Sequence, residues 1–165
     1  MVFTTVEQLF VEELRDLLSA GTQITKTLPK LIEAAQSVEL KSAFEHQLKE
    51  TEGHVERLEK AFKILGKSPK SMMCDGMKGI LAEGSEILHE TAAGDIRDVA
   101  IIAAAQRVEH YEMAAYGTVR IYAEDLSQLE IAQLLEETLK EEKAADKKLT
   151  EISRKVNERA LRAAA

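Results

Sequence analysis

Apolar side chains recur every three or four residues over four stretches of this chain, each of about 27 residues, with little proline or glycine inside them. Such a period admits helices and excludes sheets. At about 1.5 Å per residue these helices are roughly 40 Å long, so they can bury their apolar stripes only by lying side by side. The background composition, rich in Ala, Leu, Glu and Lys with aromatics at 4 %, agrees with an all-α chain. At 165 residues it suits one domain, taken here as 1–165.

Local signals set the expected boundaries. Thr4 with Glu7 reads as a capping box opening a helix over 5–35, in which Pro29 is expected to produce a kink. Ser37 opens a second helix over 37–65, and Gly66 is a natural stop. After the loop Gly66-Lys-Ser-Pro-Lys-Ser71, a shorter helical stretch occupies 72–90, and Ala92-Ala-Gly-Asp95 interrupts it. Asp95 is expected to cap a helix over 95–123, and Ser127 with Glu130 to open a last helix over 128–159.

Short loops join the first pair and the last pair of long helices. The roughly 30 residues between the pairs suffice for a crossover along the bundle, which predicts a ferritin-like four-helix bundle whose crossover carries a short fifth helix.

The charge balance narrows the function. With 22 Lys and Arg against 29 Asp and Glu, the net charge is −7, the opposite of a nucleic-acid footprint. No apolar run approaches the roughly 20 residues that cross a bilayer, so no membrane role is expected. The one cysteine, Cys74, cannot form an internal disulfide, and the chain opens without a signal-peptide pattern. The expected compartment is the cytoplasm. No phosphate-cradling glycine loop and no Ser, His and Asp arrangement stands out, which disfavours nucleotide chemistry and nucleophilic catalysis.

The informative residues are acids on faces that periodicity assigns to the core. In the fourth pattern Ile101, Ala105, Val108, Ala115, Val119 and Tyr122 define the stripe; Glu112 falls at its centre and Glu109 at its edge. In the last helix Ile131, Leu135, Thr138, Ala145, Leu149, Ile152 and Val156 define the stripe, with Glu142 at its centre and Asp146 at its edge. In the second helix Glu50 and His54 lie one turn apart and flank the stripe of Leu40, Phe44, Leu48, Thr51, Val55, Leu58, Phe62 and Leu65. Isolated carboxylates are expensive to bury, so several at one level must be paired, protonated or bound to cations. Carboxylates with imidazole suit iron or manganese. Taken singly, each acid is better explained by a Lys, Arg or Tyr partner or by a subunit interface; the set points to metal.

Other candidates carry less. The Glu-x-x-His spacing of di-iron bundles occurs as Glu86-Ile-Leu-His89, on the connector and not on a bundle helix. Tyr111 and Tyr116 are redox neighbours in a metal reading and plain packing otherwise. Met72, Met73 and Met77 near Cys74 read as packing before soft-metal binding.

Four blocks, Leu9-Phe-Val-Glu-Glu-Leu14, Glu50-Thr-Glu-Gly-His-Val-Glu-Arg-Leu58, Ala103-Ala-Ala-Gln-Arg-Val-Glu-His-Tyr-Glu112 and Glu141-Glu-Lys-Ala-Ala-Asp146, together with Met72-Met-Cys-Asp-Gly-Met77, resemble the YciE/YciF family in one register over nearly the whole chain. The resemblance implies a ferritin-like bundle, a homodimer, and a bacterial cytoplasmic protein associated with stress responses. Its metal site maps onto Glu50, Glu109, Glu112 and Glu142, with His54 and Asp146 as additional ligands. One departure stands out: where relatives read Ser-Ala-Glu-Lys-Gln, this chain reads Ser19-Ala-Gly-Thr-Gln23, so Gly21 replaces the carboxylate expected on the first helix. Glu13 is eight residues away, about 12 Å along the axis, too far to substitute, and a water or anion is the expected occupant of the gap.

Two readings follow. In the first, a carboxylate-rich site holding two iron or manganese ions, asymmetric or impaired by Gly21, handles Fe(II), oxygen or peroxide; as an enzyme it would be a di-metal oxidoreductase. In the second, a metal-free homodimer binds an unidentified protein partner of the stress response.

Overall fold

Thr5 opens the first helix. Its side chain accepts a hydrogen bond from the Gln8 backbone N–H at 3.2 Å, while the Gln8 side-chain oxygen accepts from the Thr4 N–H at 2.9 Å. The capping box therefore sits one residue later than Thr4 and Glu7, because Gln8 reaches back to the preceding chain and leaves Glu7 in the first turn, where its charge faces the helix's positive end. The computed structural model describes residues 2–70 and 72–163. Its helices are α1 (Val6–Ala34), α2 (Val38–Leu65), α3 (Asp75–Glu90), α4 (Asp95–Asp125) and α5 (Leu129–Ala163), and no strand occurs among the described residues.

Pro29 lies inside α1, which continues through it to Ala34; the proline removes one backbone hydrogen bond without ending the helix. Ser37 caps α2 by accepting from the Leu40 N–H. Gly66 ends it at φ 60°, with its own N–H bonded to the Lys63 carbonyl and the Lys67 N–H to the Phe62 carbonyl, a turn that calls for a left-handed residue. The same turn recurs at Ser127, φ 57°: its N–H bonds the Glu124 carbonyl and the Gln128 N–H the Ala123 carbonyl. Ser127 thus closes α4 and does not cap α5, so the expected Ser127 and Glu130 box is not formed and α4 runs to Asp125.

Asp95 is not a cap either. Gly94 takes that position at φ 113° without a side-chain bond, and Asp95 pairs with Arg159 at 3.0 Å. Asp98, wholly buried in the first turn of α4, accepts from the backbone N–H groups of Gln36 and Ser37, both at 2.7 Å, and so ties the α1–α2 turn to α4.

Two apolar clusters order the bundle. One contains Phe10, Leu14, Leu58, Phe62, Val119, Ala123, Ile131 and Leu135; it gathers the start of α1, the end of α2, the end of α4 and the start of α5. The other contains Ile24, Leu28, Leu40, Phe44, Ile101, Ala105, Leu149 and Ile152, from the opposite ends of the same helices. Hence α1 and α2 are antiparallel, α4 and α5 are antiparallel, and α2 and α4 run the same way. The segment from Gly66 to Gly94 must travel the length of the bundle to permit this. It does so with α3 packed on α1 and α4, where Cys74 and Met77 are buried and Ile80, Leu81 and Leu88 lean on the second cluster; Met72 and Met73 are exposed. This is the ferritin-like topology of a four-helix bundle with one long crossover.

Candidate metal centre

The two apolar clusters do not meet. Between them lies a layer in which polar side chains from three helices turn inward: Gln47, Thr51 and His54 from α2, Glu109, Glu112 and Tyr116 from α4, and Thr138 and Glu142 from α5, all buried. Helical periodicity produces this arrangement without special backbone geometry. Glu109, Glu112 and Tyr116 are three and four residues apart and share one face of α4; Gln47, Thr51, His54 and Leu58 repeat the spacing on α2.

His54 is more deeply placed than its flanking position on the apolar stripe suggests. The buried face of α2 is centred on Gln47, Thr51, His54, Leu58 and Ala61, while Leu48, Val55 and Leu65 are only partly buried. Apolar periodicity cannot register polar residues that are themselves in the core, so its centre is displaced. The same holds on α4, where Glu109 is as fully buried as Glu112 and Ala115 and Tyr122 are peripheral.

The two ring nitrogens of His54 have different surroundings. Nε2 lies 2.8 Å from Glu141 Oε2, and that carboxylate is gripped by Arg57 at 2.5 and 2.9 Å. The Arg57 guanidinium and His54 hold Glu141 below the usual carboxylate range. Burial lowers the His54 pKa, although the Glu141 contact opposes it. A neutral imidazole with an acceptor on Nε2 carries its proton there, which leaves the Nδ1 lone pair facing the layer. Nδ1 is 2.9 Å from Glu142 Oε1, out of line for a hydrogen bond.

Burial raises all three inward carboxyls well above their ordinary value, with further contributions from one another: Glu142 on Glu109, Glu109 on Glu112, and Glu112 on Glu142. Gln47 donates to Glu109 Oε1. Glu142 lies within hydrogen-bond reach of both Glu109 and Glu112, and beyond these mutual contacts Glu109 Oε2, both oxygens of Glu112, Glu142 Oε1, His54 Nδ1 and the Tyr116 hydroxyl are buried with no partner outside the set. Tyr116 stands edge-on to His54 with ring centroids 6.2 Å apart. Six polar atoms at one level of a core with no partner outside their own set are unusual, since buried polar groups are as a rule hydrogen-bonded. As placed, no three His, Cys, Asp or Glu side chains among the described residues converge on one point to hold a metal ion.

Of the remaining sequence candidates, Glu50 and Asp146 border this layer, near enough that their charges add to the upward shifts of Glu142 and Glu109 respectively. Glu50 is half-buried and paired with the exposed His46 at 3.1 Å; Asp146 accepts from Gln106 at 3.0 Å and pairs with His110 at 3.3 Å. Glu86 and His89 are exposed on α3. Tyr111 is bound elsewhere, donating to Asp16 at 2.9 Å beside Cys74, whose thiol also contacts Asp16 at 3.0 Å. Cys74 itself is buried at the start of α3, where it accepts from the Met77 N–H, and burial pushes its pKa up, the reverse of an activated nucleophile.

On α1 the layer meets Gly21. A Cβ there would sit 3.1 Å from Val55 Cγ2, so Val55 packs directly against the α1 backbone at this level. Periodicity could have found Gln47, which falls between Phe44 and Thr51 on the inward face. It gave no sign of Glu141 and Arg57, whose contact with His54 joins positions far apart in the chain. A groove of about 730 Å³ between α2 and α5, whose walls include Ala43, Ala145 and Leu149, reaches Gln47 and Glu50 from solvent.

Comparison with known proteins agrees with this architecture. The chain is 42 % identical over 154 residues to Protein YciF of Escherichia coli (strain K12), covering 93 % of each. The crystal structure of that E. coli stress protein superposes with a TM-score of 0.91 over 94 % of this chain and 99 % of that one. YcfI from Rhodopseudomonas palustris, described as a putative structural protein, is 43 % identical, covers 89 % and 94 % of the two chains and has a TM-score of 0.87. A ferritin-like, diiron-carboxylate protein from Bacillus anthracis shares the fold at 18 % identity and a TM-score of 0.70, over 92 % of this chain and 99 % of that one. Residues 5–162 match the family described as Domain of unknown function (DUF892), and the chain belongs to that family.

Proposed function

We propose that this protein is a ferritin-like metal-binding protein whose carboxylate layer takes iron or manganese, in the handling of metal or oxidative stress. The observation that carries this reading is the set of buried atoms on His54, Glu109, Glu112 and Glu142 that have no partner outside the set. Three carboxyls and a neutral imidazole nitrogen are the donor chemistry that iron and manganese prefer. For these donors to meet at a common point, Glu112 and Glu142 would exchange their present contacts with each other and with Glu109 for the ion.

In this reading His54 binds through Nδ1, Glu141 and Arg57 orient its ring, and Gln47 steadies Glu109. A bound ion would supply redox chemistry toward oxygen or peroxide. The chain's own groups do the rest: the apolar clusters on either side exclude water, the carboxyls release protons as metal enters, and the Tyr116 hydroxyl is a free donor for an oxygen ligand in the layer. The α2–α5 groove supplies the route from solvent. Glu50 and Asp146 remain candidate ligands of a second tier, each needing to leave its present partner. We further take the chain to act as a homodimer in a bacterial cytoplasm, in the kind of stress response for which its E. coli relative is named. No described helix is long and apolar enough to cross a membrane.

The test is anaerobic loading with Fe(II) or Mn(II), desalting, and metal analysis. Wild-type protein should retain metal and Glu142→Ala should lose it. The competing reading, a metal-free interaction protein, is favoured by the lack of convergence among the carboxyls as placed; it predicts no retained metal and an unchanged or higher melting temperature in Glu142→Ala.

A further inference from the structure

The crossover helix α3 is held to the bundle less firmly than the four long helices are held to one another. Of its 16 residues only Met77 is buried, where α1, α2, α4 and α5 each bury at least eight. It carries three glycines, Gly76, Gly79 and Gly84, and glycine is the least favourable helix residue after proline. Two of them have a packing reason. A Cβ on Gly76 would meet the Tyr111 ring at 2.9 Å, and one on Gly84 would meet the Ala104 Cβ at 3.3 Å, so both let α3 approach α4 closely. Gly79 has none: it is exposed, and a Cβ there would meet nothing within 4 Å. A helix of this length is marginal without tertiary support, and elements with few buried contacts open at lower free energy than the whole fold.

The support that α3 does receive is concentrated at its start. Cys74, the buried N-cap, donates its backbone N–H to Ser19 Oγ at 2.9 Å, and its carbonyl accepts from the Gln23 side chain at 3.1 Å. Its thiol lies 3.0 Å from Asp16 Oδ2, the oxygen that also accepts from the Tyr111 hydroxyl at 2.9 Å. Asp16, Ser19 and Gln23 are three and four residues apart and form one stripe of α1, while Tyr111 comes from α4. One node therefore ties the start of α3 to both helices it crosses. At the other end Arg97 donates to the Thr91 carbonyl at 2.8 Å, while Glu86, His89 and Glu90 are exposed.

Beneath α3 runs the seam between α1 and α4. Leu81 of α3 lines a small apolar crevice there with Ile24, Leu28, Ala105 and Val108, and the crevice reaches Gln47, the residue that donates to Glu109 in the polar layer. Thus α3 covers an approach to the layer on a different side from the α2–α5 groove.

We infer that α3 is a strap over the α1–α4 seam that unfolds locally while the four-helix bundle stays folded, and that the contacts of Cys74, Asp16 and Tyr111 are its fastening. Opening exposes the Cys74 thiol and gives solvent access to the Gln47 crevice. The inference stands whether or not the layer binds a metal.

Cys74 is the one cysteine of the chain, so its labelling by Ellman's reagent reports the opening, and amide hydrogen exchange over Asp75–Glu90 reports it without thiol chemistry. In native buffer both should run faster than global unfolding permits, and low urea should change them little, since opening exposes little surface. Gly79→Ala should slow both about fivefold, the roughly 1 kcal/mol by which alanine outranks glycine within a helix. Tyr111→Phe keeps the ring against Gly76 and removes the hydroxyl, and should speed both about fivefold. Ile131→Val, in the first apolar cluster away from α3, should speed the slowest α2 and α5 amides about fivefold and leave α3 and Cys74 unchanged. Labelling and α3 exchange at the global rate, accelerating together with α2 and α5 in Ile131→Val, would overturn the strap. No slowing in Gly79→Ala would overturn opening by loss of the helix. An unchanged rate in Tyr111→Phe would overturn the fastening role of its hydroxyl.

Discussion

His54 Nε2 and Glu141 Oε2 lie 2.8 Å apart, joining α2 to α5 across positions 87 residues apart in the chain. The contact orients an imidazole that is otherwise surrounded by hydrocarbon and buried carboxyls, and Arg57 holds Glu141 in place from the same helix as His54. A ligand's outer partner fixes its ring tautomer and raises its basicity. In Glu141→Ala the ring loses that anchor, and metal affinity should fall by about 10- to 100-fold with the stoichiometry unchanged. Competition against a chromogenic chelator measures it; equal affinity in the variant would refute the anchoring role.

Glu112 has both oxygens buried with no partner beyond the neighbouring Glu142, so metal-free protein carries it at a cost. Replacing such a group with an apolar one of similar size is commonly stabilising. Glu112→Leu should raise metal-free stability by about 2 kcal/mol, or about 4 to 8 °C in melting temperature for a chain of this length. The same change should abolish retained metal. A lower melting temperature would mean that Glu112 has a satisfying partner in solution.

The inward carboxyls also give the metal-free protein a pH dependence of unusual sign. Glu109, Glu112 and Glu142 are held well above their ordinary value of 4.5, so over the interval above 4.5 the native state keeps protons that the unfolded chain has lost. Stability from this set is complete below 4.5 and declines as pH rises toward the folded values. His54, lowered from 6.5, acts in the opposite direction, but only below 6.5, where the unfolded chain gains a proton that the buried ring resists. The contribution of this set to the melting temperature of metal-free protein should therefore fall as pH rises above 4.5, and wild type should lose more over that interval than Glu112→Leu. Metal affinity should rise over the same interval, since binding displaces the protons. Wild-type protein that loses no more than Glu112→Leu over that interval contradicts the assignment.

Asp98 accepts two backbone hydrogen bonds from the α1–α2 turn while wholly buried. Asp98→Ala would leave the Gln36 and Ser37 N–H groups without their partner, and should cost about 3 kcal/mol. Urea denaturation should show a shifted midpoint with an unchanged slope. Metal retention per folded chain should not change, because the residue lies at the far end of the second cluster from the carboxylate layer.

Much of the architecture was legible before any tertiary structure, because a helix's apolar face is a local property of spacing. The five elements, the short and long connections, the stop at Gly66 and the central placement of Glu112 and Glu142 follow from sequence alone. What periodicity could not decide is how far each helix is rotated about its own axis against its neighbours. That rotation is set by packing across the bundle. It buries Glu109 and His54 at the edges of their stripes, leaves Glu50 and Asp146 paired at the surface, brings Arg57 and Glu141 to the far side of the imidazole, and places Val55 against Gly21. The sequence by itself determined that acids would enter the core; the contacts among α2, α4 and α5 decided which ones share a layer, and the contact between α1 and α2 decided that the first helix faces it with hydrocarbon.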